Sequence, residues 1–241
     1  MFKTIDQKKQ KLDSKRPLPV HTLNSIREHL IVNWTYNSNA IEGNTLTLSE
    51  TKVALEGITV GGKTIKEHLE AINHKEAILY VEELVRSNEP FSEWQIKSIH
   101  GLILKGIMDD QAGVYRKQNV LISGAKHIPP DFSHVPFLME QLAHWMVSQS
   151  KSLHAIERAA RLHSEFVKIH PFVDGNGRTA RLLLNFELMK NGYPPIVIEK
   201  ENRLEYYSAL DEAHTSGNPE NFVAFISQKV DQTFDWYLNL L

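Results

Sequence analysis

Cysteine is absent from all 241 residues, so neither a disulfide nor a thiolate metal site can form. A surplus of either charge is absent too. The 27 Lys and Arg nearly balance the 29 Asp and Glu, and a net charge of −2 argues against bulk nucleic-acid binding. No apolar run reaches membrane-spanning length and no signal peptide is visible, so the expectation is a soluble cytoplasmic protein without membrane contact. Repeats, low-complexity tracts and an appended winged-helix domain are not evident. Strand signals are scarce as well. Val120-Leu121-Ile122 is the one convincing β-run, turned by Ser123-Gly124 and closed by Pro129-Pro130, which predicts a short hairpin with an unpaired edge.

What the chain has is helical periodicity. Apolar residues recur at helical spacing over about 21–37, 48–56, 65–87, 92–104, 133–149, 153–169, 202–216 and 219–238. Thr47-Leu48-Ser49-Glu50 opens the second of these as a capping box. Residues 182–189 are apolar nearly all round, the mark of a buried central helix. The fold class is therefore all-α with a small β-hairpin. Lys8, Lys9, Lys11, Lys15 and Arg16 form a basic run that reads as a solvated, partly disordered arm. His163 falls on the apolar stripe of 153–169 and reads as a satisfied core histidine.

Two stretches carry possible chemistry. Gly57-Ile58-Thr59-Val60-Gly61-Gly62-Lys63-Thr64 formally fits a P-loop, but helical residues precede it where a P-loop needs a buried strand. A Gly-rich loop between helices is the better reading. The second stretch is His170-Pro171-Phe172-Val173-Asp174-Gly175-Asn176-Gly177-Arg178-Thr179-Ala180-Arg181. Gly175-Asn176-Gly177 permits backbone angles at which successive N–H groups converge on an anion. A helix reading on from Arg178 would put that nest at a positive helix terminus. Arg178 and Arg181 share a helix face and could clamp phosphates bidentately. Asp174 is a hard oxygen ligand suited to Mg²⁺, and His170 is a general base near neutral pH. Phe172 reads as an anchor of the loop in the core. The combination describes phosphoryl or nucleotidyl transfer.

The twelve residues match His-Pro-Phe-x-Asp/Glu-Gly-Asn-Gly-Arg-x-x-Arg throughout, so the chain resembles the Fic family from about residue 25 onward. That resemblance implies Mg²⁺-dependent transfer of AMP from ATP to a Ser, Thr or Tyr hydroxyl of a target protein, with self-modification and a homo-oligomer as further expectations. It implies His170 as base, Asp174 at the metal, and Gly175, Asn176 (backbone and side chain), Gly177, Arg178 and Arg181 on the phosphates. Val120, Leu121 and Ile122 would belong to the flap that receives the target by strand addition.

By itself, Ser38-Asn39-Ala40-Ile41-Glu42-Gly43 is an ordinary helix end with an exposed glutamate. By resemblance it is an inhibitory motif lying N-terminal to the core, in which Glu42 pairs with Arg181 and Ser38 and Gly43 shape the helix end. Residues 1–90 would carry that helix and 91–241 the catalytic core and C-terminal helices, together one compact unit. Tyr207 corresponds to a ring lying near the nucleobase in relatives. His214 stands where some carry Asn, which leaves nucleotide preference open. Removal of AMP from a modified protein, transfer of another phosphate-containing group, and a non-catalytic nucleotide-binding module stay open as alternatives.

Overall fold

The computed structural model describes residues 2–88 and 90–241. Among these, regular structure is helical throughout: α1 (Lys3–Asp13), α2 (Val20–Ile41), α3 (Leu48–Leu55), α4 (Ile65–Arg86), α5 (Glu93–Leu104), α6 (Val135–Ser148), α7 (Ala155–Ile169), α8 (Asn176–Lys190), α9 (Arg203–Ser216) and α10 (Glu220–Leu240).

The all-round apolar helix is α8, and it lies at the centre. Leu184 and Leu188 face one group of core residues, with Ile156, Ala160, Tyr206, Phe222 and Phe234 from α7, α9 and α10. Ala180, Leu182, Leu183 and Phe186 face another, with Ile78, Ile99, Met139 and Phe166 from α4, α5, α6 and α7. A helix apolar on only one stripe could not serve both groups. The amphipathic α7 packs along α8, and the motif joining them is thereby held between two rigid elements.

Two expectations fail. The basic run is no disordered arm. Residues 3–13 form α1, whose Ile5 and Leu12 are buried in the core beside α10. Lys8 pairs with Asp231 at 2.7 Å and Asp235 at 2.8 Å, and Lys9 pairs with Asp13 at 2.8 Å. The run looked unpaired because two of its acidic partners are far away in sequence. The hairpin around Val120-Leu121-Ile122 is also not formed among the described residues. Ser123-Gly124 does turn, with the Ala125 N–H donating to the Ile122 carbonyl at 3.2 Å. The returning arm, however, bonds elsewhere. The N–H groups of Lys126 and His127 donate to Asp211 Oδ1 of α9, and His127 Nε2 donates to the Lys168 carbonyl of α7. Pro129 and Pro130 have no N–H to offer a ladder.

The P-loop look-alike is a loop between α3 and α4. Lys63 donates to the Thr45 carbonyl at 2.6 Å, and Thr64 opens α4 through a capping box with Glu67.

Candidate active site

His170 ends α7 in the left-handed conformation, at φ 51° and ψ 59°. Glycine is the residue that usually ends a helix this way, and a side chain there costs about 1–2 kcal/mol. The backbone alone therefore gives no reason for histidine at this position. Arg116 holds the corner in place. It is buried, its Nε donates to the His170 carbonyl at 2.9 Å, and its N–H donates to the Pro171 carbonyl at 2.9 Å. Its other nitrogens donate to the carbonyls of Gln118 and Pro130, so one guanidinium ties the motif to the base of the 117–130 loop. Burial pushes the His170 pKa down to about 4. The Arg116 charge adds to that effect, while the Val167 carbonyl and the Glu42 carboxylate oppose it. The imidazole is thus neutral at pH 7, as a base must be.

Phe172 is fully buried, with its ring parallel to His100 at 3.5 Å. Asn176 then folds the loop back. Its Oδ1 accepts from the Phe172 N–H and its Nδ2 donates to the Phe172 carbonyl, both at 2.9 Å. The Asn176 side chain was expected on a phosphate. Its two bonds to Phe172 shape the loop, and an amide that donates one hydrogen to a carbonyl has a second to offer. Gly175 caps α8 at φ 75°, and α8 starts at Asn176, two residues earlier than expected. The first N–H groups of α8 have no acceptor inside the helix, so its positive terminus falls within the motif.

The two arginines diverge. Arg178 is buried, with Nη1 3.3 Å from Glu70 and Nη2 3.4 Å from Asp174, while its Nε is buried without a partner. Arg181 is buried in a different cage. Its Nε donates to Ser38 Oγ at 3.0 Å, and its Nη2 donates to the Ser38 carbonyl at 2.8 Å and to Glu42 Oε1 at 2.7 Å. Burial is the largest single effect and opposes the Arg181 charge, but Glu42, Tyr206 and Tyr207 together outweigh it and the pKa is raised. Tyr206 supports this cage from the core: its hydroxyl lies 3.5 Å from Arg181 Nη1 and 2.9 Å from His163 Nε2. His163 is buried as expected but only half satisfied, because its Nδ1 has no partner.

Glu42 caps the end of α2, and Gly43 follows at φ 98°, a turn that favours glycine. A Cβ on Gly177 would collide with the Glu42 carboxylate, so that glycine is what allows the two helix ends to meet. Tyr207 is 37% exposed at the rim, its hydroxyl 3.5 Å from the Ile41 carbonyl. His214 is buried away from that rim. It donates from Nε2 to the Ser164 carbonyl and packs edge-on to His127. Leu121 is 81% exposed, and Val120 and Ile122 are partly so.

Asp174 is the site's candidate metal ligand. Its Oδ1 accepts from the Gly175 N–H at 2.6 Å, Oδ2 meets Arg178 only at 3.4 Å, and the side chain is 41% exposed. No cluster of three or more His, Asp or Glu suited to a metal exists among the described residues. A single open carboxylate beside an anion nest fits Mg²⁺, which is commonly held by one or two carboxylates together with substrate phosphates. Sequence reasoning missed His100, Glu70 and Arg116 as parts of the site.

Comparisons with known proteins agree with this geometry. The profile of the Fic/DOC family matches residues 90–188. The protein adenylyltransferase Fic of Nematostella vectensis is 39% identical over 244 residues, covering 99% of this chain and 56% of that protein. Its counterpart in Drosophila virilis is 37% identical over 247 residues, covering 99% and 50%. The chain thus spans about half the length of the curated relatives it matches. Among solved structures, residues 134–508 of Fic-1 from C. elegans superpose with a TM-score of 0.90 at 30% identity, covering 99% of this chain and 71% of that one. A Fic domain containing signaling protein from Bacteroides thetaiotaomicron gives 0.89 at 29%, covering 98% and 96%. No helix among the described residues is long and apolar enough to cross a membrane. With motif, helix order and near-complete superposition in agreement, the chain belongs to the Fic/DOC family.

Proposed function

We propose that this chain transfers AMP from ATP to a hydroxyl side chain of a target protein. One observation carries the reading: a single twelve-residue stretch supplies a buried histidine at the end of α7, the N-terminus of α8 and two buried guanidinium groups on its first turns. The acceptor oxygen would attack the α-phosphorus while its proton passes to His170. The bond from that phosphorus to the bridging oxygen would break, releasing pyrophosphate. The first N–H groups of α8 would hold the α-phosphate, and Arg178 and Arg181 the outer phosphates. Asp174 would hold Mg²⁺, which would neutralise charge on the phosphates as the leaving group departs. The exposed 120–122 backbone would pair with an extended target segment, and Tyr207 would flank the base.

Both arginines reach for carboxylates in this state, Arg181 for Glu42 and Arg178 for Glu70 and Asp174. For Arg181 to bind phosphate, ATP would have to displace at least the Glu42 contact, so in this reading Glu42 restrains transfer. A second reading has its own support. The Glu42 carboxylate stands against Gly177, where it could position a water for removal of AMP from a modified protein. Incubation with Mg-ATP, ATP alone or a pre-modified target, read by mass spectrometry for gain or loss of AMP, decides between them. A chain that neither adds nor removes AMP, with or without Glu42, overturns both.

A further inference from the structure

We infer that His100 is a positioning residue for the Asp174 carboxylate, an inference that rests on reading Asp174 as the metal-holding residue. His100 lies on α5, fully buried, seventy-four residues before the loop it touches. Its Nδ1 accepts from the Gly113 N–H at 2.9 Å. A backbone amide can only donate, so Nδ1 is bare and Nε2 carries the proton. That proton is donated to the Asp174 carbonyl at 2.9 Å.

The rest of the ring is also fixed. One face lies parallel to Phe172, with an interplanar angle of 3°. A Cβ on Gly175 would stand 3.3 Å from both Cδ2 and Nε2 of His100. The histidine therefore stacks on Phe172, bonds Asp174 and leaves no room for a side chain on Gly175, three residues of one four-residue stretch. Its far support is equally rigid. Gly113 sits at φ 73°, and a Cβ there would come within 2.9 Å of the Lys97 carbonyl. The imidazole is a strut between two backbone segments with no room to shift.

Asp174 needs such a strut. Its carboxylate is 41% exposed and its firm side-chain bond is to the adjacent Gly175 N–H, so its aim follows its own backbone. Packing alone would be met by an apolar ring and would not use both nitrogens in opposite roles. Groups behind a metal ligand commonly contribute about 10- to 100-fold in metal affinity.

Two conservative substitutions divide the ring's functions. His100→Asn keeps an acceptor where Nδ1 sits and loses the bond to Asp174. His100→Gln keeps a donor where Nε2 sits and loses the bond to Gly113. Binding of a non-hydrolysable ATP analogue is measured with and without Mg²⁺, together with amide exchange over residues 171–177 and melting temperature. His100→Asn is expected to weaken the Mg²⁺ enhancement of affinity by roughly 10- to 100-fold and to speed exchange in the loop, while His100→Gln stays near wild type in both. Wild-type loop exchange in His100→Asn overturns the inference, and so do equal losses in the two variants. If the wild type itself shows no Mg²⁺ enhancement, the metal reading of Asp174 falls. Loop exchange then still decides whether His100 positions the residue.

Discussion

Arg181 of α8 donates to Glu42 at 2.7 Å and to Ser38 at 3.0 Å, gripped by two residues one turn apart at the end of α2. A carboxylate at a helix C-terminus is unfavourably placed with respect to that helix's dipole. Here the same carboxylate lies beside the N-terminus of another helix and a buried guanidinium, both of which favour it. The contact therefore anchors the end of α2, and under the proposed function it would occupy an arginine meant for phosphate.

Glu42→Gly should raise AMP transfer, including self-modification, by about 5- to 150-fold, the usual range of such couplings. Arg181→Ala should not mimic it, since the phosphate contact goes with the anchor. Assay both with Mg-ATP beside a melting curve. Unchanged or lower transfer by Glu42→Gly at an unchanged melting temperature would remove Glu42 as an inhibitor.

His170→Ala should lower transfer by roughly 10²–10⁴, the worth of a general base, while ATP still binds. His170→Gly should be equally inactive yet about 1–2 kcal/mol more stable than His170→Ala, because it relieves the left-handed backbone. Denaturant titration of the pair checks the second half. A glycine variant no more stable than the alanine one would show that the turn stores no strain.

The acid limb of transfer should lie near pH 4 rather than 6.5, since burial holds the His170 pKa at about 4. Kinetics in constant-ionic-strength buffers read this directly. Stability should follow the same direction. His100, His170 and His214 are each held at about 4 by burial, and His74 and His163 lie well below their usual value. The unfolded chain binds protons first on these groups as pH falls below about 6.5. Their contribution is complete above that value and is lost toward pH 4. A melting temperature that stays flat between pH 7 and 4.5 would contradict it.

Asp174→Ala should make ATP affinity far less sensitive to Mg²⁺. It also removes one of the two carboxylates on Arg178, so metal-free affinity should hold or rise. Calorimetric titration with and without Mg²⁺ checks both. A variant as responsive to Mg²⁺ as wild type would place the ion elsewhere.

Much of this protein was legible in order. The all-round apolar run at 182–189 could only be a central helix, and helical spacing placed most of the others within a few residues. The motif at 170–181 announced a turn into a helix N-terminus with two guanidiniums on its first turns because those groups are local, and local backbone chemistry is written in adjacent residues. What the sequence could not show depends on partners far away in it. The basic run proved to be α1 because Ile5 and Leu12 are buried beside α10, where Asp231 and Asp235 also meet Lys8, and a charge run read alone has no view of them. The 120–122 run formed no ladder because its returning arm bonds to α7 and α9 instead. Asn176, free in the sequence, turned inward once Phe172 was buried. His100, one histidine among twelve, became the neighbour of Asp174 only when α5 packed behind the loop. Hydrophobic periodicity fixes which face of a helix is buried. Which polar groups then meet across buried faces follows from the packing of the whole set.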